Sequence, residues 1–378
     1  MKIIERDRFL REIFRMVLVD GPITRTELMN QLSISRASVT RFSAPLIERG
    51  VIVESPGIEV AAPGRPTRPL EINAASRSFL GFKLTGSSIS AVRTDLMATT
   101  LALLEEPIES PSPASVVEQM ARIASQLDPT DSYLAVGVSL GGLVTTDGVV
   151  VHEDFLGWDT VPLADMVGRT LNRPVVLEND VVALAIAEHW FGAGRGIDTF
   201  AVLTIGAGIG YGLVVKDRVI DSQRAREGLI GHLPLWEVGP RCNLGHPGCA
   251  TALMANGYIL DAVKTTAPEI DNLADAYESQ DQRVRDVLMR SARALGRTIA
   301  EIASLGMVER VVLCGEGVGL YRSCTQEVLA AVVRYSPSRI EAPEVVADEQ
   351  GFDLWARGAA AAAIQHVVLS ATFGSLLK

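Results

Sequence analysis

The sequence predicts an α/β protein led by a small helical module, and three observations predict it. Residues 20–56 place capping signals and apolar spacing around two short helices joined by a tight turn. From residue 79 onward, a set of β-rich runs followed by an amphipathic helical stretch occurs twice, which implies two α/β lobes with a cleft between them. Glu178-Asn179-Asp180 and the loop Gly206-Ala207-Gly208-Ile209-Gly210 supply groups suited to gripping a polar small molecule.

Size and composition bound the reading. A chain of 378 residues, 48% hydrophobic and 21% charged, predicts two or three globular domains with a large core. No apolar run reaches 18 residues, and MKIIERDRFLREIFRM is too charged for a signal peptide, so a cytoplasmic protein without membrane contact is expected. Four cysteines are too sparse for a disulfide scaffold. The net charge of −10 is unevenly spread: residues 1–71 carry 11 basic and 9 acidic groups, so the acidity lies in the rest. A mildly basic module on an acidic body suits a nucleic-acid reader whose body stays off the phosphates.

Phe9, Leu10, Ile13, Phe14 and Val17 fall at helical spacing and predict a first helix over residues 8–18, ended by Gly21-Pro22. Thr24 with Glu27 forms a capping box for a second helix through Leu32. Ser33-Ile34 makes the turn, and Ser35 caps a third helix running to Glu48, with Pro45 expected to kink or shorten it. This is the helix-turn-helix arrangement, whose later helix enters the major groove N-terminus first. Arg36, Ser38, Thr40 and Arg41 are then the candidate contacts to base edges or phosphates. Val51-Ile52-Val53 and Pro69-Leu70-Glu71-Ile72 can pair as a wing, and Arg65 and Arg68 between them suit a minor-groove or phosphate contact. The domains expected are 1–75 (winged helix-turn-helix), 76–178 (first lobe) and 179–378 (second lobe with a helical tail).

In the body, strands are expected at FLGFKL, ISAVRTDL, TLALLEEP, Tyr133–Ser139, Phe200–Ile205, Ile209–Val215 and Val311–Cys314. Helices are expected over Pro113–Leu127 and Asp180–Trp190. Trp158 is read as packing rather than stacking on a ligand.

The block ENDVVALAIAE with GAGIGYGLVV, behind a winged helix-turn-helix bearing Gly-Arg-Pro, resembles the ROK family of repressors and sugar kinases over nearly the whole chain. The likeness is to the repressor branch. It implies an actin-like, ribonuclease H-like two-lobed fold, a sugar or sugar-derived ligand, operator DNA as partner, and a homodimer or homotetramer. In the family's kinases the first strand ends in Asp-x-Gly-Gly-Thr; here the stretch is Lys83-Leu84-Thr85-Gly86-Ser87, with a cation where a metal needs an anion. Ala207 lacks the hydroxyl of the second phosphate loop, and Glu316 interrupts a third glycine run. No catalytic residue is therefore assigned. Asp180, at the family's base position, becomes a hydrogen-bond acceptor for a ligand hydroxyl beside Asn179 and His232; Asn179-Asp180 can also simply cap the following helix.

Two sugar-gripping carboxylates of the family are replaced, at Leu229 and Thr251. The ligand is then not a typical hexose, or is weakly held, or the cleft is vestigial. The family's zinc ligands follow His…Cys-x-Cys-Gly-x-x-Gly-Cys; His232, Cys242 and Cys249 remain, but Leu244 replaces the middle cysteine. Either His246 supplies the fourth ligand or the loop is metal-free. The leading reading is a ligand-responsive repressor. Its rivals are an ATP-dependent sugar kinase, separable by an ATPase assay with sugars, and a docking protein with an empty cleft, separable by pull-down.

Overall fold

The structure, a computed structural model, describes residues 3–55, 68–220, 229–339, 341–348 and 353–377. It divides into two units, Met1–Gly196 with Trp355–Lys378, and Ile197–Leu354.

The first unit begins with α1 (Ile3–Asp20), α2 (Arg25–Leu32) and α3 (Arg36–Glu48). The capping box forms as expected: the Thr24 amide donates to Glu27 Oε2 at 2.7 Å and the Glu27 amide to Thr24 Oγ1 at 3.2 Å. Those bonds, first the one from the Thr24 amide, hold the Glu27 carboxyl below its ordinary range. Ser33 takes the left-handed conformation that turns the chain, and Ser35 caps α3 through the Ser38 amide. α3 runs through Glu48 as expected, with Pro45 inside it and not shortening it. β1 (Ile52–Glu54) and β2 (Leu70–Ile72) pair antiparallel as the wing's base. Ile13, Phe14, Leu28, Val39, Phe42, Leu46, Ile52 and Leu70 form its buried centre. Each such side chain contributes about 1.5–3 kcal/mol by leaving water.

Next come β3 (Ser78–Leu84), β4 (Ser88–Asp95), β5 (Thr100–Pro107), α4 (Pro113–Leu127) and β6 (Val136–Leu140). A small sheet of β7 (Leu143–Val144), β8 (Val150–Glu153) and β9 (Trp158–Val161) precedes α5 (Leu163–Leu171), β10 (Val175–Asn179) and α6 (Asp180–Phe191). β6 starts later than the expected Tyr133, whose carbonyl is taken by the Arg173 guanidinium at 2.9 Å. The main sheet runs β10-β6-β3-β4-β5, its first three strands parallel and the rest antiparallel. That order is the ribonuclease H-like sheet of the actin-type fold.

The C-terminal helix, Leu354–Leu369, packs on this sheet at backbone distance. A Cβ on Gly81 of β3 would lie 2.0 Å from the Ala356 carbonyl oxygen, and one on Gly137 of β6 would lie 1.8 Å from that of Ala359. Glycine in the strands and alanine in the helix are two sides of one contact. That fit returns the tail to the first unit, whereas the sequence reading grouped residues 179–378 together.

The second unit holds β11 (Thr199–Ile205), β12 (Ile209–Val215), α7 (Ala250–Met254), α8 (Asn256–Thr266), α9 (Leu273–Glu278), α10 (Gln282–Gly306), β13 (Arg310–Cys314), α11 (Val318–Ser323), α12 (Thr325–Tyr335) and β14 (Glu344–Ala347). Its sheet runs β12-β11-β13-β14, and α10 buries one apolar face, including Val284, Leu288, Leu295 and Ile299, in the unit's core. Among the described residues, no single helix is long and apolar enough to cross a membrane.

Candidate functional site

On α3, Val39, Phe42, Ser43 and Leu46 are buried, which leaves Arg36, Ala37, Thr40 and Arg41 exposed along the opposite face. Phe9 of α1 stacks on Phe42 with ring centroids 5.4 Å apart, so α1 seats the helix from behind. Arg41 lies over the Phe42 ring at 4.8 Å, and Thr40 bonds back to the Arg36 carbonyl at 3.1 Å. Ser38 is half-buried and its hydroxyl meets that of Ser35 at 3.0 Å, so it serves the helix start. Ala37 belongs to the exposed face and was not singled out from sequence; spacing of 36, 37, 40 and 41 was the available signal. Arg68 is exposed, 3.9 Å from the Glu54 carboxylate, which also pairs with Arg25 at 2.6 Å. Arg65 lies outside the described residues.

At the C-terminal edge of the main sheet, β3, β6 and β10 bring three residues together. Asn179 caps α6: its Oδ1 accepts from the Val181 amide at 3.0 Å while its Nδ2 donates to the Gly142 carbonyl at 3.1 Å. Asp180 is not a bare acceptor. Lys83 Nζ donates to its Oδ2 at 2.6 Å, and the Val181 amide donates to its Oδ1 at 2.8 Å. Both partners are largely buried, with side-chain exposures of 9% and 17%, and the Trp355 ring lies 5.3 Å from the ammonium. Lys83 stands out in the sequence as a misplaced cation, but its partner lies 97 positions away. Trp158 is packed as expected, its indole donating to the Pro111 carbonyl at 2.6 Å.

In the second unit, the loop between β11 and β12 is closed by the Gly206 amide donating to the Gly208 carbonyl at 3.0 Å. Glu316 reaches over it: a Cβ on Gly206 would come within 2.3 Å of its Oε2. A carboxylate thus rests on the loop that suits phosphate by sequence. Thr251 spends its hydroxyl on the Gly231 carbonyl at 2.7 Å, and Leu229 is exposed.

The same unit gathers His232, Cys242 and His246 with ligand atoms within 4.8 Å of one another. His232 Nδ1 is 3.6 Å from Cys242 Sγ, and the two imidazoles meet edge to face at 5.1 Å. Buried Cys249 interacts with the Cys242 thiol. Burial pushes the Cys242 thiol up, but backbone hydrogen bonds at His246 and Leu244 and the neighbouring Cys249 outweigh it and bring it below its usual value. Burial, then the His246 charge, lowers His232. A neutral imidazole beside a thiol inclined to ionise is the donor state a zinc ion requires, and two His with two Cys make a tetrahedral set. The donor types suit the ion, and three of the four, without Cys249, converge on one point.

A groove-sized helix presented on a compact three-helix module, in one chain with an actin-type α/β body, defines a DNA-binding transcription regulator. The chain belongs to the ROK family, whose model matches residues 89–366, and a winged helix-turn-helix DNA-binding model matches residues 6–53. It is 26% identical over 326 residues to the DNA-binding transcriptional dual regulator NagC of Escherichia coli K12, covering 80% of this chain and 79% of that one. A crystal structure of a ROK family transcriptional regulator, described as a homologue of the E. coli MLC protein, superposes with a TM-score of 0.82 at 22% identity over 99% of both chains. The ROK hexokinase of Thermus thermophilus matches at a TM-score of 0.67 and 28% identity, covering 77% of this chain and 99% of its own. One body type therefore occurs with and without the DNA-binding module.

Proposed function

We propose that the chain is a cytoplasmic repressor that binds a two-fold symmetric operator as a homodimer or homotetramer and answers to a sugar or sugar-derived ligand. Arg36, Thr40, Arg41 and the methyl of Ala37 read the major groove, with Ser38 shaping the helix start, and Arg65 and Arg68 of the wing contact phosphate or the minor groove. Asn179 and Asp180 are the ligand contacts of the first unit, and His232 is the candidate contact of the second. Zinc, where bound, is held by His232, Cys242, His246 and Cys249 and fixes their loop.

The observation that carries a sensor over a kinase is the Lys83–Asp180 ion pair at 2.6 Å. A general base needs a carboxylate free to take the sugar proton. Here the carboxylate already holds an ammonium, and that ammonium stands where the family's kinases serve their metal. Glu316 on the Gly206 loop adds negative charge where a triphosphate would bring more. Lys83 and Asp180 together still offer a ligand hydroxyl one donor and one acceptor.

Two outcomes follow. With ATP, magnesium and a panel of hexoses and N-acetylhexosamines, phosphoryl transfer stays at background; turnover that Asp180→Asn abolishes would restore the kinase reading. Calorimetry with the same sugars, their acids and their phosphates should find one binder that changes affinity for a duplex selected by the full chain from random DNA. A ligand shifts that affinity only by its preference between two protein states. No binder, or a binder without effect on DNA, would leave the docking-protein reading in its place.

A further inference from the structure

The ligand residues Asn179 and Asp180 and the recognition helix α3 lie far apart in the sequence, yet a continuous set of contacts within the first unit joins them. We propose that α6 is the strut that couples Asp180 to the DNA-binding module, and that Arg195 is the positioning residue that completes the coupling. The inference rests on the regulator reading above and names how its site reaches DNA.

At its N-terminus α6 carries Asp180, held by Lys83. Val182 to Trp190 are all buried, so the helix is packed along its length. Its twelve residues span about 18 Å. At the far end, Glu188 is fully buried and organises the following loop. Its Oε2 accepts from the Ala193 amide at 2.8 Å, and its carbonyl accepts from the amides of Gly192 at 3.2 Å and Gly194 at 3.0 Å. A buried carboxylate bonded to the loop backbone ties the loop to the helix, because a buried hydrogen bond is costly to leave unmade.

The loop delivers Arg195 to the end of α1. Its Nε donates to the Val19 carbonyl and its Nη2 to the Gly21 carbonyl at 2.8 Å. Val19 is in the last turn of α1, where carbonyls have no partner within the helix and the negative end of the helix dipole lies. A guanidinium there supplies both the missing donors and the favoured charge. α1 in turn stacks Phe9 on Phe42 of α3. A displacement at Asp180 therefore reaches α3 through packed or hydrogen-bonded steps. A separate attachment, Arg11 donating to the Leu369 carbonyl at 2.9 Å and Phe14 edge-on to Phe373 at 5.5 Å, holds the middle of α1 to the C-terminal segment. It touches neither α6 nor its loop by these contacts, which makes Arg11 the control.

The test is a double-mutant cycle in the full-length chain, read as affinity for a duplex selected by that chain from random DNA, without added ligand. Lys83→Met releases Asp180 and is expected to change the dissociation constant by about threefold or more, a shift lost in the Arg195→Ala background and kept in the Arg11→Ala background. Arg195→Lys, which retains charge but not the two-carbonyl fork, should behave as Arg195→Ala does. Amide exchange over residues 17–24 should follow the same pattern. If Lys83→Met does not fold, Asp180→Asn takes its place at the same end of the helix. Equal shifts in the wild-type and Arg195→Ala backgrounds, or no shift in either, would overturn the relay. The cycle uses no sugar, so its failure is separate from failure of the ligand reading, which the calorimetric panel decides.

Discussion

Arg36→Ala combined with Arg41→Ala should reduce affinity for the selected operator by on the order of a hundredfold or more, since each arginine reading a base is worth about 1–3 kcal/mol. Both side chains are exposed on the face of α3 opposite Val39, Phe42 and Leu46. Their loss therefore leaves the module's core intact, and thermal stability should change by no more than about 0.5 kcal/mol. Arg41 also lies over Phe42, a contact exposed enough to weigh little in folding. Phe42→Ala is the contrasting variant: its ring is buried and stacked on Phe9, and removal should cost about 3–5 kcal/mol and unfold the module. Fluorescence anisotropy at several salt concentrations separates base contacts from phosphate contacts. Loss that is uniform over operator and random DNA, with a slope flatter by about 0.9 per arginine, would assign these residues to the backbone. Unchanged affinity would move the reading surface off this face.

Local signals carried most of the fold. The capping box at Thr24 and Glu27, the helix Pro113–Leu127 and the strand Ile209–Val215 are set by neighbours in sequence, and they fall where spacing places them. The C-terminal helix was harder, because its partners are Gly81 and Gly137, more than two hundred residues earlier. Its alanines read as helix propensity, and nothing local says that they abut a sheet backbone. The site shows the same limit. Asp180 and Lys83 were each conspicuous, one as a base position and the other as an intrusive cation. Their pairing depends on β3 lying beside β6 and β6 beside β10, a long-range register that no short motif encodes. Arg195 gave no signal at all, since an arginine in a glycine-rich loop is ordinary until a helix end is placed against it. That His246 lies beside His232 and Cys242 was within reach of the sequence, because replacement of one ligand in a known spacing invites a search a few residues on.

Removal of zinc should destabilise the second unit and expose which residue replaces the missing cysteine. Three of the four donors, His232, Cys242 and His246, already converge within 4.8 Å, and buried Cys249 adjoins Cys242. Gathering them without an ion packs polar atoms together at a cost that binding would offset, and structural zinc contributes its binding energy to folding. Cys242, Cys249 and Ala252 also pack together as a small apolar cluster, so the effect should fall well short of the complete unfolding seen in a zinc finger. A strong chelator is expected to lower the melting temperature by several degrees, about what a loss of a few kcal/mol produces in a domain of this size. Cys249→Ser should lose the ion. His246→Ala should weaken its retention by about tenfold or more, whereas Leu244→Cys, which restores the family spacing, should make His246 dispensable. Acidification should release the ion, because protons compete with it for the imidazole nitrogens and thiolate sulfurs. Mass spectrometry of the intact chain under non-denaturing conditions reads occupancy directly. One zinc per chain in wild type and none in Cys249→Ser is the expected result; equal zinc in His246→Ala would remove that histidine from the set. Protein from zinc-replete cells that is metal-free and equally stable would show that these four side chains hold their loop by packing alone.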